Sequence, residues 1–366
     1  MALRSVRAAT PRLELEGTGL DLAVAAARGP FGESLARDAW RRLRADKSAW
    51  RSLLFLAAMV IASLLAPLLP LPSPVALQLR KEPQPPVWPW KQPVNFGYQR
   101  EYWDLNPVDG WLVSVRSSVF GELQTGPWLG TDAKGRDLLS RLVWGSRTSF
   151  LVAAAAAFAS LCIGVTWGSI SGLAGGRVDQ WMMRAVDVLY ALPFTFVVIF
   201  VLALLDAPRG TSAASSFVPR EVVFFAAIGA VWWLSMARVV RGQVLALRHS
   251  AFVESARALG ASTARIAWTH VVPNVLPVVI VYLTLTLPSV VLFESFLSFL
   301  GLGIEPPKVS WGLLAADGVD ALNPIGLYWW LVVFPALAMG STLLALNLLG
   351  DGLRDALDPR RRGALE

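Results

Sequence analysis

Six apolar runs, each about 20 residues long, alternate with polar segments along this chain, at 49–69, 149–173, 182–205, 222–240, 276–300 and 327–349. Each is long enough to cross about 30 Å of hydrocarbon as a helix. The pattern predicts an all-α integral membrane protein with six transmembrane helices. Arg238, near the end of the fourth run, is compatible with a span because its guanidinium can snorkel to the interface. The runs divide the chain into an N-terminal tail (1–48), a first span (49–70), a long loop (71–145), a five-helix region (146–351) holding a polar loop at 241–272, and a C-terminal tail (352–366).

Composition agrees with the pattern. The 366 residues are 55 % hydrophobic and 16 % charged, with a mean hydropathy of +0.51, where soluble domains carry about 25 % charge. The polar, arginine-rich start shows no early apolar core, so the first run is read as an uncleaved anchor. The net charge of +7 is explained by its distribution. With the N-terminus inside, 21 Lys and Arg fall on the inner segments and 12 outside, of which 9 lie in the first outer loop. Loops longer than about 60 residues are largely exempt from the positive-inside rule, so both termini are placed in the cytoplasm. Trp50, Trp144, Trp181, Trp232, Trp233, Trp329 and Trp330 lie near the expected span ends, where indole rings favour headgroups. No nucleic-acid-binding motif occurs, and nucleic acid is not expected as a partner.

The polar loop between the fourth and fifth runs has the most structured punctuation. Ser250 is a candidate N-cap for a helix over 251–259. Phe252, Ala256 and Leu259 recur at helical spacing as one apolar stripe, and Glu254 and Arg257 stand where they can pair on its flank. Gly260 follows as a left-handed stop. Ser262 can cap a second short helix, and Pro273 and Pro277 mark entry into the fifth span. Such a stripe is too narrow to hold an isolated helix. It docks either on a partner or on this chain's own helix ends.

Other residues carry weaker signals. Cys162, the single cysteine, reads as a buried structural thiol. His249 and His270 are too far apart in sequence for a typical ligand pair, so no metal and no cofactor is expected. Asp187 and Glu294 lie inside apolar runs, where ionisable residues suggest either pathway lining or contact with a binding protein, or else an interfacial cap or polar pairing near a span end; Arg177 and Arg184 are candidate partners for Asp187. Within the loop, Pro70-Leu-Pro-Ser-Pro74 and Pro83-Gln-Pro-Pro86 favour extended chain, and 96–128 is expected to fold on the outer surface. Asp132 is a candidate turn or cap, and Leu138, Leu139 and Leu142 suggest a short interfacial helix. Gly301-Leu-Gly303 lacks the third glycine and strand context of a dinucleotide loop, and no Gly-x-x-x-x-Gly-Lys-Ser/Thr pattern occurs. No catalytic residue is assigned.

The polar loop resembles a known element. Glu254-Ser-Ala-Arg-Ala-Leu-Gly260, with Ile266 and Pro273 downstream, is similar to the EAA loop of ABC-importer permeases, with Ser255 where alanine is usual. Gly130-Thr-Asp-…-Gly-Arg-Asp137, Asp187-Val-Leu-Tyr-Ala-Leu-Pro193, Phe293-Glu-Ser-Phe-Leu-Ser-Phe-Leu-Gly-Leu-Gly303, Ser310-Trp-Gly312 and Gly350-Asp-Gly-Leu-Arg-Asp-Ala-Leu-Asp-Pro359 resemble the C-type permease subunit of dipeptide/oligopeptide importers. The resemblance implies a type I ABC importer permease fold in a bacterial inner membrane, with 146–351 as its core domain. It implies a homologous second permease, two ATP-binding cassette ATPase subunits, an extracytoplasmic solute-binding protein and a peptide substrate, with membrane lipid around the helices. Glu254, Ser255, Ala256, Arg257, Leu259 and Gly260 would then dock the ATPase. Segment 71–128 is longer than in the shorter members, and nickel chelates or peptide antibiotics stay open as substrates. A self-sufficient secondary transporter or channel using Asp187 and Glu294 is the rival, but it has no use for the docking loop.

Overall fold

The computed structural model describes residues 35–76, 83–87, 105–121, 125–206, 220–322 and 326–358. Among these the chain is helical, with one isolated antiparallel bridge between Thr131 and Asp137. The distal tails, most of 77–104, and Pro359 lie outside the described residues. So do the parts of the outer-loop and terminal-tail expectations that fall there.

Helix α1 (Leu35–Ala45) leads into α2 (Lys47–Leu64) at Asp46, whose carboxylate accepts the Ser48 and Ala49 N–H groups at 2.8 and 3.3 Å. The first span therefore starts at a capped turn. It ends at Leu64, before the expected boundary, because Pro67 follows within a single tight turn. Helix α3 (Pro107–Phe120) lies in the long loop. Helix α4 runs 37 residues, Leu138–Ala174, through a π-helical turn at Ser160–Gly164. The separate interfacial helix expected at its start is instead continuous with the span. At 1.5 Å per residue α4 is about 55 Å long, so its ends project beyond the hydrocarbon.

The third apolar run is broken. Helices α5 (Gly176–Ala191) and α6 (Phe194–Asp206) meet at a 74° bend. Leu192 is extended, at φ −70° and ψ 130°, as the residue before Pro193 must tend to be. Helix α7 (Arg220–Leu247) continues past the expected end of the fourth span. After α8 (Ala251–Ala258), helix α9 (Thr263–Phe299) is again 37 residues long and absorbs the second short helix through a π-helical turn at Ile266–Val271. The turn precedes Pro273, which has no N–H to give the regular ladder. Helices α10 (Trp311–Asp320) and α11 (Trp330–Leu357) complete the bundle. Five helices are long and apolar enough to cross a membrane, or six when the bent α5–α6 pair counts as one span.

Two devices hold the bundle. Gly164, Gly168 and Gly172 recur every four residues on α4 and face α7. A Cβ on Gly168 would stand 2.5 Å from the Ala237 carbonyl oxygen, and one on Gly172 2.7 Å from Val244. In lipid no hydrophobic force drives helices together, so small residues permit close backbone contact and its dispersion gain. On the other side Leu56 of α2 packs with Ala345, Leu346 and Leu349 of α11, and Gly352 lies directly against Ala49. Cys162 is exposed rather than buried, since an apolar side chain within a span gains nothing by avoiding lipid. Trp330 departs in the other direction. It is buried, stacks edge-on with Tyr328, and donates its indole N–H to the Thr131 carbonyl at 3.2 Å. It is a packing residue, not an interfacial one.

Candidate functional site

The polar loop forms a compact knob at one end of the bundle. The Ser250 hydroxyl donates to the Leu247 carbonyl at 2.6 Å and makes no cap bond to α8. Helix α8 ends in paired bonds: Gly260 N–H to Arg257 O and Ala261 N–H to Ala256 O, both at 3.0 Å. Gly260 has φ +80°. This is the Schellman arrangement, and it requires a residue without a Cβ penalty. Ser262 then accepts the Arg265 N–H at 3.3 Å, opening α9.

The apolar stripe divides differently from expectation. Val253 and Ala256 are buried against Ile266, Ala267 and Val271 of α9 and Val240 and Val244 of α7. Phe252 and Leu259 face outward, Leu259 at 88 % exposure. The turn at Gly260 folds α8 back onto α9, so Val253 and Ala256 meet the bundle and the other edge does not. Ala256 thus faces inward, while Glu254, Ser255, Arg257, Leu259 and Gly260 are exposed. Among the described residues no ion pair joins Glu254 to Arg257. Self-packing and an outward face coexist in one short helix.

Asp187 lies in a cleft between α5 and α7 of about 900 Å³. Its partner is Arg238, at 2.9 Å, and not Arg177 or Arg184. Arg238 also lies 4.1 Å over the Tyr190 ring. Further along the same two helices, Asp179 receives both Nε and Nη2 of Arg241, at 2.6 and 2.7 Å, and the Ser171 hydroxyl. The sequence shows all these charges, but not that α7 continues far enough to meet α5.

Glu294 is fully buried. Its oxygens accept the hydroxyls of Ser149 at 3.0 Å, Ser298 at 2.8 Å and Ser295 at 3.3 Å, with Ser310 adding a further bond. Gly303 and Gly312 sit so tightly on Ser298 and Ser295 that neither has room for a Cβ. In this chain the carboxylate ties α4, α9 and the start of α10 together, the polar pairing that is the other reading of its sequence position.

At the opposite end from the knob lies a largely buried charge cluster that no local sequence pattern announces. Asp132 accepts Arg136 Nε and Arg141 Nη1, both at 2.6 Å, and Asp317 of α10 accepts Arg141 Nη2 at 2.8 Å and Arg136 Nη2 at 3.3 Å. Asp132 also accepts the Lys134 and Arg136 backbone N–H groups, which makes it the turn residue expected. Asp137 caps α4 through the Leu139 N–H at 3.0 Å, and burial pushes its carboxyl up to about 7. The long loop is stapled here too. Arg147 holds Asp109 of α3 by two bonds, Arg116 donates to the Leu71 carbonyl at 3.0 Å, and Thr131 and Gln84 exchange bonds at 2.7 and 2.9 Å.

Comparison with known proteins decides what this helical frame is. Residues 164–363 match the family described as binding-protein-dependent transport system inner membrane component. The chain belongs to that family. Residues 34–86 match a second family, the N-terminal TM domain of oligopeptide transport permease C. The oligopeptide transport system permease protein OppC of Haemophilus influenzae is 40 % identical over 331 residues, 90 % of each chain. The dipeptide transport system permease protein DppC of Bacillus subtilis is 36 % identical, covering 90 % of this chain and 87 % of that one. Among solved structures, an inward-facing form of the MetNI methionine ABC transporter matches 60 % of this chain and 98 % of its own, at 17 % identity and a TM-score of 0.47. The chain is an ABC-importer permease subunit of the inner membrane, with a helical, multi-pass fold.

Proposed function

We propose that this permease forms half of a peptide translocation pathway, with a homologous permease supplying the other half. Of two ATPase subunits in the assembly, one docks on the α8 knob of this chain, and a solute-binding protein delivers di- or oligopeptides to the opposite face. Both termini lie in the cytoplasm with the knob. The observation that carries the reading is the outward edge of α8, where Leu259 and Phe252 stand unpacked beside the Gly260 turn in a relative of oligopeptide and dipeptide permeases. Because Val253 and Ala256 key α8 into α7 and α9, a push on α8 is passed to two spans as a rigid displacement. The bend at Pro193, beside the Asp187–Arg238 pair, is the candidate place for the pathway to change shape.

The test is co-purification from native membranes. Gly260→Pro places a ring that fixes φ near −65° where φ is +80°, and removes the N–H bonded to Arg257. Leu259→Glu changes only an exposed side chain. Both are expected to lose the ATPase while keeping the second permease, and Gly260→Asn, which tolerates left-handed φ, is expected to keep both. Retention of the ATPase by Leu259→Glu and Gly260→Pro alike would move the docking site elsewhere.

A further inference from the structure

The cleft between α5 and α7 is unevenly charged. Four arginines stand in it, Arg177, Arg184, Arg238 and Arg241. Asp187 is taken by Arg238 and Asp179 by Arg241. Among the described residues Arg177 and Arg184 have no acidic partner, so two positive charges are left over in a space of about 900 Å³. The cleft lies where α4 turns into α5. That turn is at Gly175, whose Cβ position is 2.9 Å from the Arg248 guanidinium, so the cleft and the α8 knob share one face of the molecule. Trp181, on the cleft wall, is 75 % exposed, and Val178 beside it is exposed too. An indole so placed marks headgroup depth.

We propose that this cleft binds the phosphodiester headgroup of an anionic phospholipid, with Arg177 and Arg184 on its phosphate oxygens and Trp181 and Val178 against the start of its acyl chains. Guanidinium forks match phosphate oxygens in two-bond geometry, and basic pockets between spans on the inner side hold such headgroups. A phospholipid carries its anion next to hydrocarbon, and the cleft offers its cations next to exposed apolar surface. An acidic side chain from a second permease is the rival occupant, and the cross-link below detects it. The inference rests on the permease reading only in placing the chain in a bilayer. It makes the lipid a bridge between α5 and α7, the helices joined by the Asp187–Arg238 pair.

The experiment uses the complex as purified with its co-purifying subunits. It is delipidated, titrated with cardiolipin in mild detergent, and weighed by native mass spectrometry, wild type beside R177Q/R184Q. Wild type is expected to retain cardiolipin, and the double variant to retain it roughly 30-fold more weakly, the loss of two cations' attraction. R177K/R184K, which keeps charge without the fork, is expected to fall between them. Inorganic phosphate alone is expected not to displace the lipid at millimolar concentration. If phosphate does displace it, the cleft is a free-phosphate site and the lipid proposal fails. Equal retention by wild type and R177Q/R184Q also overturns it, as does a cross-link from a second permease that fills the cleft. Should the double variant fall apart, the single R177Q carries the same comparison at roughly fivefold. A spectrum without ATPase would count against the docking proposed for α8, while lipid retention by the remaining chain would still be read.

Discussion

The two ends of this bundle use the same residue types in opposite ways. At one end Arg136, Arg141, Asp132 and Asp317 form a closed square in which the first three are buried and Asp317 is partly exposed. At the other, Asp187 and Arg238 meet in an open cleft with two arginines to spare. The first arrangement is costly to desolvate and strongly destabilising to break. The second is solvated, contributes little, and can be exchanged for another partner. Burial, not charge, separates a clamp that fixes the outer loop and α10 from a contact that can change during transport.

Substitutions at the two ends sharpen that contrast. The largest effect is expected for Arg141→Met, which leaves Asp132 and Asp317 underpaired. A buried pair broken from one side costs about 3–5 kcal/mol, read as a fall in the thermal midpoint in detergent and in yield of folded protein. Gly168→Leu comes next, because its Cβ would meet the Ala237 carbonyl oxygen at 2.5 Å. Overpacking of this kind costs about 1–3 kcal/mol, and the α4–α7 distance measured between paired spin labels should grow. Asp187→Ala is expected to change stability by less than about 1 kcal/mol and to alter transport more than the thermal midpoint. A midpoint drop as large as that of Arg141→Met would erase the distinction between the ends.

The last test of the contrast is a pH slope. Asp137 is raised in the folded protein from 3.8 to about 7 by burial, so the native state holds its proton more tightly than the unfolded chain. Its contribution is fully present below pH about 4, declines as pH rises, and is gone above about 7. Asp137→Asn retains an oxygen for the Leu139 N–H and removes the titration. The difference in thermal midpoint between wild type and this variant, followed from pH 4 to 8, should therefore drift against wild type as pH rises.

What was legible in the sequence follows from how local each signal is. The Gly260 stop and the break at Pro193 depend on φ restrictions of one or two residues, and the Ser262 cap on one short side-chain bond; the first and the last are legible in the sequence. Hydropathy misses the Pro193 break because the apolar run continues across it and carries no record of backbone direction. The stripe on α8 was assigned to Phe252, Ala256 and Leu259, whereas the turn at Gly260 buries Val253 with Ala256 instead. Periodicity gives a face's composition, but the turn sets which edge meets the bundle.

By itself the sequence determined that this chain is a bundle of membrane-crossing helices with a structured polar knob, because chain length against bilayer thickness and the intrinsic preferences of Gly, Pro and Ser are local properties. Only the tertiary structure decided the use of the charges. Arg141 and Asp317 are 176 positions apart, and Glu294 meets Ser149 across 145. No spacing rule links such residues. Their meeting depends on how α4, α9 and α10 pack against one another.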